Sequence, residues 1–354
     1  MSVPKPECWI EVTPRGLYVP PGDFYVDPTR PVPRAVVTHG HADHARPDHG
    51  AVLATAETLA VMRHRYGERA GSSHETLSYG ETRRIGDVAV TLRPAGHVLG
   101  SAQVVLEHRG SRVVVSGDYK RRSDPTCAPF EPVACDAFIT EATFGLPVFR
   151  HPDPAGEITR LLDTQRLFPE RAIVVGTYAL GKAQRVIALM RQAGYDRPLY
   201  LHGALMGLCK LYQEHGVELG ALEPATGQTK AALAGEIVLA PPAALNDRWA
   251  RRLPEPLPVM ASGWMQVRQR ARQRGVELPL VISDHVDWDD LTATIREVGA
   301  PKVWVTHGNE EAICHWARGE GFDARALSVV GWGEEDADPE DAGHAGADKN
   351  GDLS

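Results

Sequence analysis

The 354-residue sequence contains no run approaching the roughly 18 consecutive apolar residues of a membrane-spanning helix, so no membrane partner is expected. It also lacks any Cys-x-x-Cys pair. Its five cysteines, Cys8, Cys127, Cys135, Cys209 and Cys314, are dispersed and odd in number. A thiolate zinc site and a disulfide framework are thereby disfavoured, and inert thiols in a reducing compartment are the expectation. The first residues, Met1 to Cys8, show no basic-then-apolar signal segment, which makes the cytoplasm the expected location. Nor is there an excess of positive charge to announce a polyanionic partner. The formal net charge of -8 is unevenly placed. Eight acids and one base, Lys349, fall between Gly333 and Ser354, which leaves 37 bases and 38 acids in the preceding 332 residues. A nearly neutral body does not argue against a nucleic acid. The acidic end, whose one large apolar residue is Leu353, is expected to be disordered. With 43% hydrophobic and 24% charged residues, a fibrous or wholly disordered chain is excluded.

What the sequence does hold is a change of texture. Up to about residue 145, short β-branched or alternating runs are bounded by Gly, Pro or Asp: Phe24 to Val26, Ala35 to Thr38, Val88 to Leu92, Ala102 to Leu106, Arg112 to Ser116 and Ala137 to Thr140. One helix is predicted from Ala56 to Tyr66, capped by Thr55 and ended by Gly67. After Gly145, helices predicted near 155–167, 182–192 and 205–215 alternate with strands at 172–176, 198–201 and 237–240, the rhythm of a parallel sheet. Prolines at 241–242 and 254–258 end that block, and the strand style of the first part returns. The chain therefore reads as one domain in two pieces, 1–145 and 257–332, with a second domain inserted at 146–256 and an acidic end at 333–354.

The strongest chemical signal is Thr38-His39-Gly40-His41-Ala42-Asp43-His44, directly after an apolar strand. Three imidazoles and a carboxylate on one strand-end loop are metal ligands, of a type suited to zinc, manganese or iron. His97 in Ala95-Gly96-His97, Asp118 in Ser116-Gly117-Asp118 and His307 in Thr306-His307-Gly308 repeat the pattern of a ligand-type residue beside glycine after an apolar run. Singly each is a turn residue. With the first cluster they allow two metal sites bridged by Asp118. The run Gly176-Thr177-Tyr178-Ala179-Leu180-Gly181-Lys182 fits G-x-x-x-x-G-K between a strand and a helix. Ala183 stands where the magnesium-binding Ser or Thr of a nucleotide loop belongs, so ATP binding is not expected.

H-x-H-x-D-H, then a glycine-flanked His, then Ser-Gly-Asp, resembles the ordered signature of the metallo-β-lactamase fold, with Asp27 matching its first aspartate outside the ligand set. Asp118 and His307 lie 189 positions apart (307 minus 118), which requires an insertion. The inserted block, with Glu141 in Thr140-Glu141-Ala142, His285 in Asp284-His285-Val286 and His307, resembles the β-CASP nuclease group. The implied fold is a metallo-β-lactamase αββα sandwich carrying an inserted β-CASP-like α/β domain. Within the group, Gly16-Leu17-Tyr18, Pro21 to Tyr25, His41 to Pro47 and Gly176 to Arg185 are most similar to bacterial DNA-ligase-associated exonucleases. That similarity implies a DNA repair enzyme partnered by a DNA ligase and a helicase. His307 pulls the other way, because histidine at this motif is associated with RNA enzymes of the group.

The resemblance implies two divalent ions, Zn or alternatively Mn. His39, His41, His97 and Asp118 would hold one, and Asp43, His44, Asp118 and His307 the other. His285 is the expected general acid, oriented by Glu141, and Asp43 and Asp118 belong to the same catalytic set. Lys120 and Arg121, directly after Asp118, together with Lys182, Arg268 and Arg270, are the expected substrate-binding cations. The reaction so read is hydrolysis of phosphodiester bonds, with DNA favoured over RNA. An RNA-processing nuclease is the nearest alternative. A small-molecule hydrolase such as a thioesterase is the alternative of another class, which would need neither Glu141 nor His285.

Overall fold

The computed structural model describes residues 3–327, 329, 331 and 332; the acidic end expected to be disordered lies outside the described residues. Two sheets built from the flanking parts stack face to face. The first runs in chain order through Glu11–Thr13, Gly16–Val19, Phe24–Val26, Arg34–Val36, Ala51–Ala54 and Ser73–Thr76. The second has the spatial order Asp323–Ala326, Lys302–Gly308, Ala137–Ala142, Ser111–Val115, Ala102–His108, Val88–Pro94 and Thr82–Ile85. Residues from both ends of the sequence thus share one sheet, with Ala137–Ala142 pairing in parallel to Lys302–Gly308.

Alternation explains the layering. Val113, Val115, Ala137 and Ile139 meet Leu17, Val26 and Val36 of the first sheet in one core. Their neighbours Val114, Phe138, Val303 and Val305 point the other way. That outer face is covered by the helices Trp288–Val298 and Glu310–Gly319, while the outer face of the first sheet is covered by Leu59 and Met62 of the helix Ala56–Tyr66. Thr55 caps this last helix by accepting from the amide of Thr58, and Gly67 ends it, as the sequence predicts. The result is the αββα sandwich that the resemblance implies.

The third sheet is entirely parallel. Its order is Leu222–Pro224, Leu199–Leu201, Ile237–Ala240, Ile173–Gly176, Leu257–Ala261 and Leu278–Leu280. It takes in strands beyond the expected border at residue 256, because the proline-rich stretch 254–258 leads straight into Leu257–Ala261 beside Ile173–Gly176. Ile173 and Val175 face the helices Pro154–Leu167, Lys182–Gln192 and Gly203–Glu214 in the largest apolar cluster, which Val61 and Leu99 of the sandwich join. The block is therefore packed against the sandwich beside the His97 loop. Among the described residues no helix is long and apolar enough to cross a membrane.

Candidate metal centre

The candidate residues come from strand ends that converge. Thr38 to His44 follow the strand Arg34–Val36. His97 follows Val88–Pro94, and Asp118 follows Ser111–Val115. Glu141 and His307 lie within the parallel pair Ala137–Ala142 and Lys302–Gly308. Ligand sites gather where such strands end because loops there share one rim. Gly117, at φ +57°, makes the turn possible: a Cβ there would come within 2.8 Å of the Thr38 side chain.

Each imidazole is fixed from behind. Asp27 accepts from Nδ1 of His44 at 2.8 Å, from the amide of Thr38 at 2.7 Å and from the Thr38 hydroxyl at 2.6 Å. With its proton on Asp27, Thr38 Oγ1 accepts from Nδ1 of His39 at 3.0 Å. Thr306 repeats the device: its hydroxyl donates to the Thr140 carbonyl and accepts from Nδ1 of His307 at 2.9 Å. His97 donates Nδ1–H to the Asp284 carbonyl at 2.9 Å, and His41 donates Nε2–H to the Leu180 carbonyl at 3.3 Å. All five rings thus spend one nitrogen on an outer partner and turn the other inward, the arrangement that orients metal-binding histidines.

Those inward atoms have the character of a cation site. Nε2 of His97 and Nδ1 of His41 face each other at 2.9 Å, both with lone pairs. Nε2 of His39, His44 and His307 and Oδ1 of Asp118 are buried without a hydrogen-bond partner. Asp118 faces both sides: Oδ2 lies 3.5 Å from His39 and 3.8 Å from His97, and Oδ1 lies 3.1 Å from His307. Donor atoms of His39, His41, His97 and Asp118 form one mutually close set, and those of His44, Asp118 and His307 a second. Asp43 adds a carboxylate oxygen 3.4 Å from His44 Nε2. The residues fit divalent metal; nothing in a set of nitrogen and oxygen donors singles out which ion.

The electrostatics agree. Burial, together with His285 and His41, pushes His97 down to about 3, and burial with His44 holds His39 well below the ordinary imidazole value, so both rings are neutral donors. Burial also works against charge on His44, but Asp43, Asp118 and Asp27 overcome it and raise the ring well above its ordinary value. The carboxylates therefore call for positive charge at this point.

Beside the centre, His285 donates Nδ1–H to Glu141 at 2.9 Å, and its ring lies 4.6 Å from that of His97. Glu141 also accepts from the amide of Tyr119 at 2.8 Å. Atoms of Asp118, Glu141 and His285 form a third close set. The expected substrate cations fare unevenly. Lys120 is buried, with Nζ 3.3 Å from the His285 carbonyl, and burial together with Arg185 and Arg122 pushes it down to about 7. Lys182 is buried too and paired with Asp284, so neither lysine lines an open mouth. Arg121 reaches away to Glu297 at 2.6 Å. Arg268 is exposed, and Arg270 lies over the Trp264 ring at 4.2 Å. Trp264 in turn packs on Phe144, which packs on His285.

Three residues escape sequence reading. Trp332 donates to the Asp27 carbonyl at 2.8 Å and packs on His44 at 5.2 Å. His151 is buried against Phe144, with both ring nitrogens lacking hydrogen-bond partners; burial, with Lys120 and Lys182 nearby, pushes it down to about 2. Thr306 had a signal, since Thr-His-Gly occurs at both 38–40 and 306–308. Trp332 and His151 have none.

No known protein-family profile matches the chain. It is 30% identical over 318 residues to a probable DNA ligase of Opitutus terrae, covering 88% of this chain and 30% of that protein. It is 27% identical over 213 residues to ribonuclease TTHA0252 of Thermus thermophilus, covering 52% of this chain and 49% of that one. The chain thus spans half or less of these curated relatives' length. A protein of unknown function from Enterococcus faecalis V583 shares the fold at a TM-score of 0.52 and 13% identity, covering 77% of this chain and 74% of the other. Together with the His/Asp cluster, these similarities support the β-CASP nuclease group of the metallo-β-lactamase fold, without selecting a subtype within it.

Proposed function

We propose that this protein is a metal-dependent nuclease that hydrolyses phosphodiester bonds, with DNA ends as its favoured substrate. The observation that carries the reading is the Glu141–His285 pair at 2.9 Å, set directly beside the histidine and aspartate cluster. His39, His41, His97 and Asp118 would hold one divalent ion, and Asp43, His44, Asp118 and His307 a second. Bound there, such ions supply an activated water and a Lewis acid for the charge that develops on the phosphate. His285 gives a proton to the departing sugar oxygen, and Glu141 keeps its ring in the required orientation. Arg268 and Arg270 meet phosphates on the exposed side. The block from residue 146 onward serves as the wall of the substrate cleft, inserted between the two pieces of the sandwich.

The preference for DNA and work beside a ligase draw support from the ligase relative, whose match runs along most of the chain; exonuclease action in repair and a helicase partner rest on the resemblance of the sequence motifs. Ribonuclease action is the second reading, favoured by His307 and by the Thermus ribonuclease. A thioester hydrolase would leave the Glu141–His285 pair without work. Single-stranded DNA and RNA oligonucleotides, each labelled at either end and incubated with metal-loaded protein, separate these readings. Release of labelled mononucleotides from DNA alone supports the first, internal cuts in RNA the second, and cleavage of neither rejects both.

A further inference from the structure

The Gly176–Lys182 stretch that imitates a nucleotide loop is turned toward the histidine cluster. The Leu180 carbonyl is the outer partner of His41. Gly181, at φ +83°, lies so near the His97 loop that a Cβ there would meet Val98 at 2.4 Å. Lys182 is ion-paired with Asp284, whose own carbonyl is the outer partner of His97. One turn on, Arg185 pairs with Asp124, donates to the Ser283 carbonyl and donates to the His97 carbonyl at 3.1 Å. Lys182, Arg185 and Asp284 are each at most 3% exposed. Two cations and two carboxylates thus balance in an interior where an apolar contact would cost less desolvation. What the charged version adds is reach: from one helix start it grips the backbone on both sides of the His97 ring.

We infer that Lys182 and Arg185 are positioning residues for the metal centre, fixing from the start of the helix Lys182–Gln192 the Ser283–Asp284 backbone whose carbonyl orients His97, and the His97 backbone itself. The inference rests on the reading of that cluster as a metal site. Outer partners of metal-binding histidines are worth about 10–100-fold in metal affinity. The inference is tested by titrating the full chain with Co2+ alone, followed by visible absorption, in wild type, Lys182→Gln, Lys182→Arg and Arg185→Lys. Leu161→Ala, a cavity variant in the core of the third sheet, serves as a control for general destabilisation. The expected result is Co2+ binding weakened at least tenfold in Lys182→Gln, restored to within about threefold by Lys182→Arg, and unchanged in Leu161→Ala. Wild-type affinity in Lys182→Gln, failure of the arginine rescue, or equal weakening in Leu161→Ala overturns the inference. Should Lys182→Gln not fold, Arg185→Lys decides: it keeps the charge beside Asp124 but loses the two carbonyls, so weakened binding upholds the inference and wild-type binding overturns it. A wild type that takes up no Co2+ instead removes the metal reading itself.

Discussion

The loop from Thr38 to His44 and the loop from Ser283 to His285 face the same centre but are secured in opposite ways. The first is held by side chains of its own sandwich, with Asp27 gripping His44 and Thr38, and Thr38 gripping His39. The second, besides the Asp284–Lys182 and His285–Glu141 pairs, is held at every residue through its backbone, whose carbonyls take Lys120 at residue 285, Arg185 at residue 283 and His97 at residue 284. A side-chain anchor is specific to residue type, so it leaves a mark in the sequence. A carbonyl anchor accepts any residue, so it leaves none. The difference should also divide function: the first loop binds metal, and the second carries the group that moves a proton.

The comparison breaks most visibly at its two centres. Asp118→Ala should abolish hydrolysis and strip bound metal, since Asp118 faces both donor sets. His285→Ala should lower turnover by about 10²–10⁴-fold while metal content, read by elemental analysis, stays at the wild-type level. Equal metal loss in both variants would show that the loops do not divide the work. Asp27→Asn sharpens the contrast on the first loop: metal affinity should fall about 10–100-fold, with hydrolysis recovering at high metal concentration. The paired threonines give a finer cut. Thr38→Val should cost more metal affinity than Thr306→Val, because only Thr38 relays to a carboxylate. A competition titration with a chelating dye orders the two. The smallest effect belongs to the surface. Replacing Arg268, Arg270 and Arg272 together with Gln should weaken DNA binding a few-fold and flatten its salt dependence by up to about three units of log–log slope, with turnover nearly intact.

Legibility in the sequence follows the same physical line. The sandwich is readable because its strands alternate, as at Val88 to Pro94, or are β-branched runs, as at Val113 to Val115, and because Thr55 and Gly67 punctuate a helix. The ligand loop is readable because imidazoles crowded into six residues have few other uses. The lysines mislead: Lys120 and Lys182 look like phosphate contacts in the sequence, yet Asp284 and the His285 carbonyl draw them inside. Burial of a cation depends on a partner more than 100 positions away, which no local pattern records. His151 and Trp332 are hidden for the same reason, the first tied through its amide to Asp287 and the second through its indole to the Asp27 carbonyl.

The most direct measurement is elemental analysis of the purified, metal-loaded chain combined with cleavage of end-labelled single-stranded DNA before and after chelation. The account predicts about two divalent ions per chain, cleavage that disappears with the chelator and cleavage that returns when Zn or Mn is restored. A chain that retains no stoichiometric metal, or that cleaves equally well with every ion removed, would contradict it.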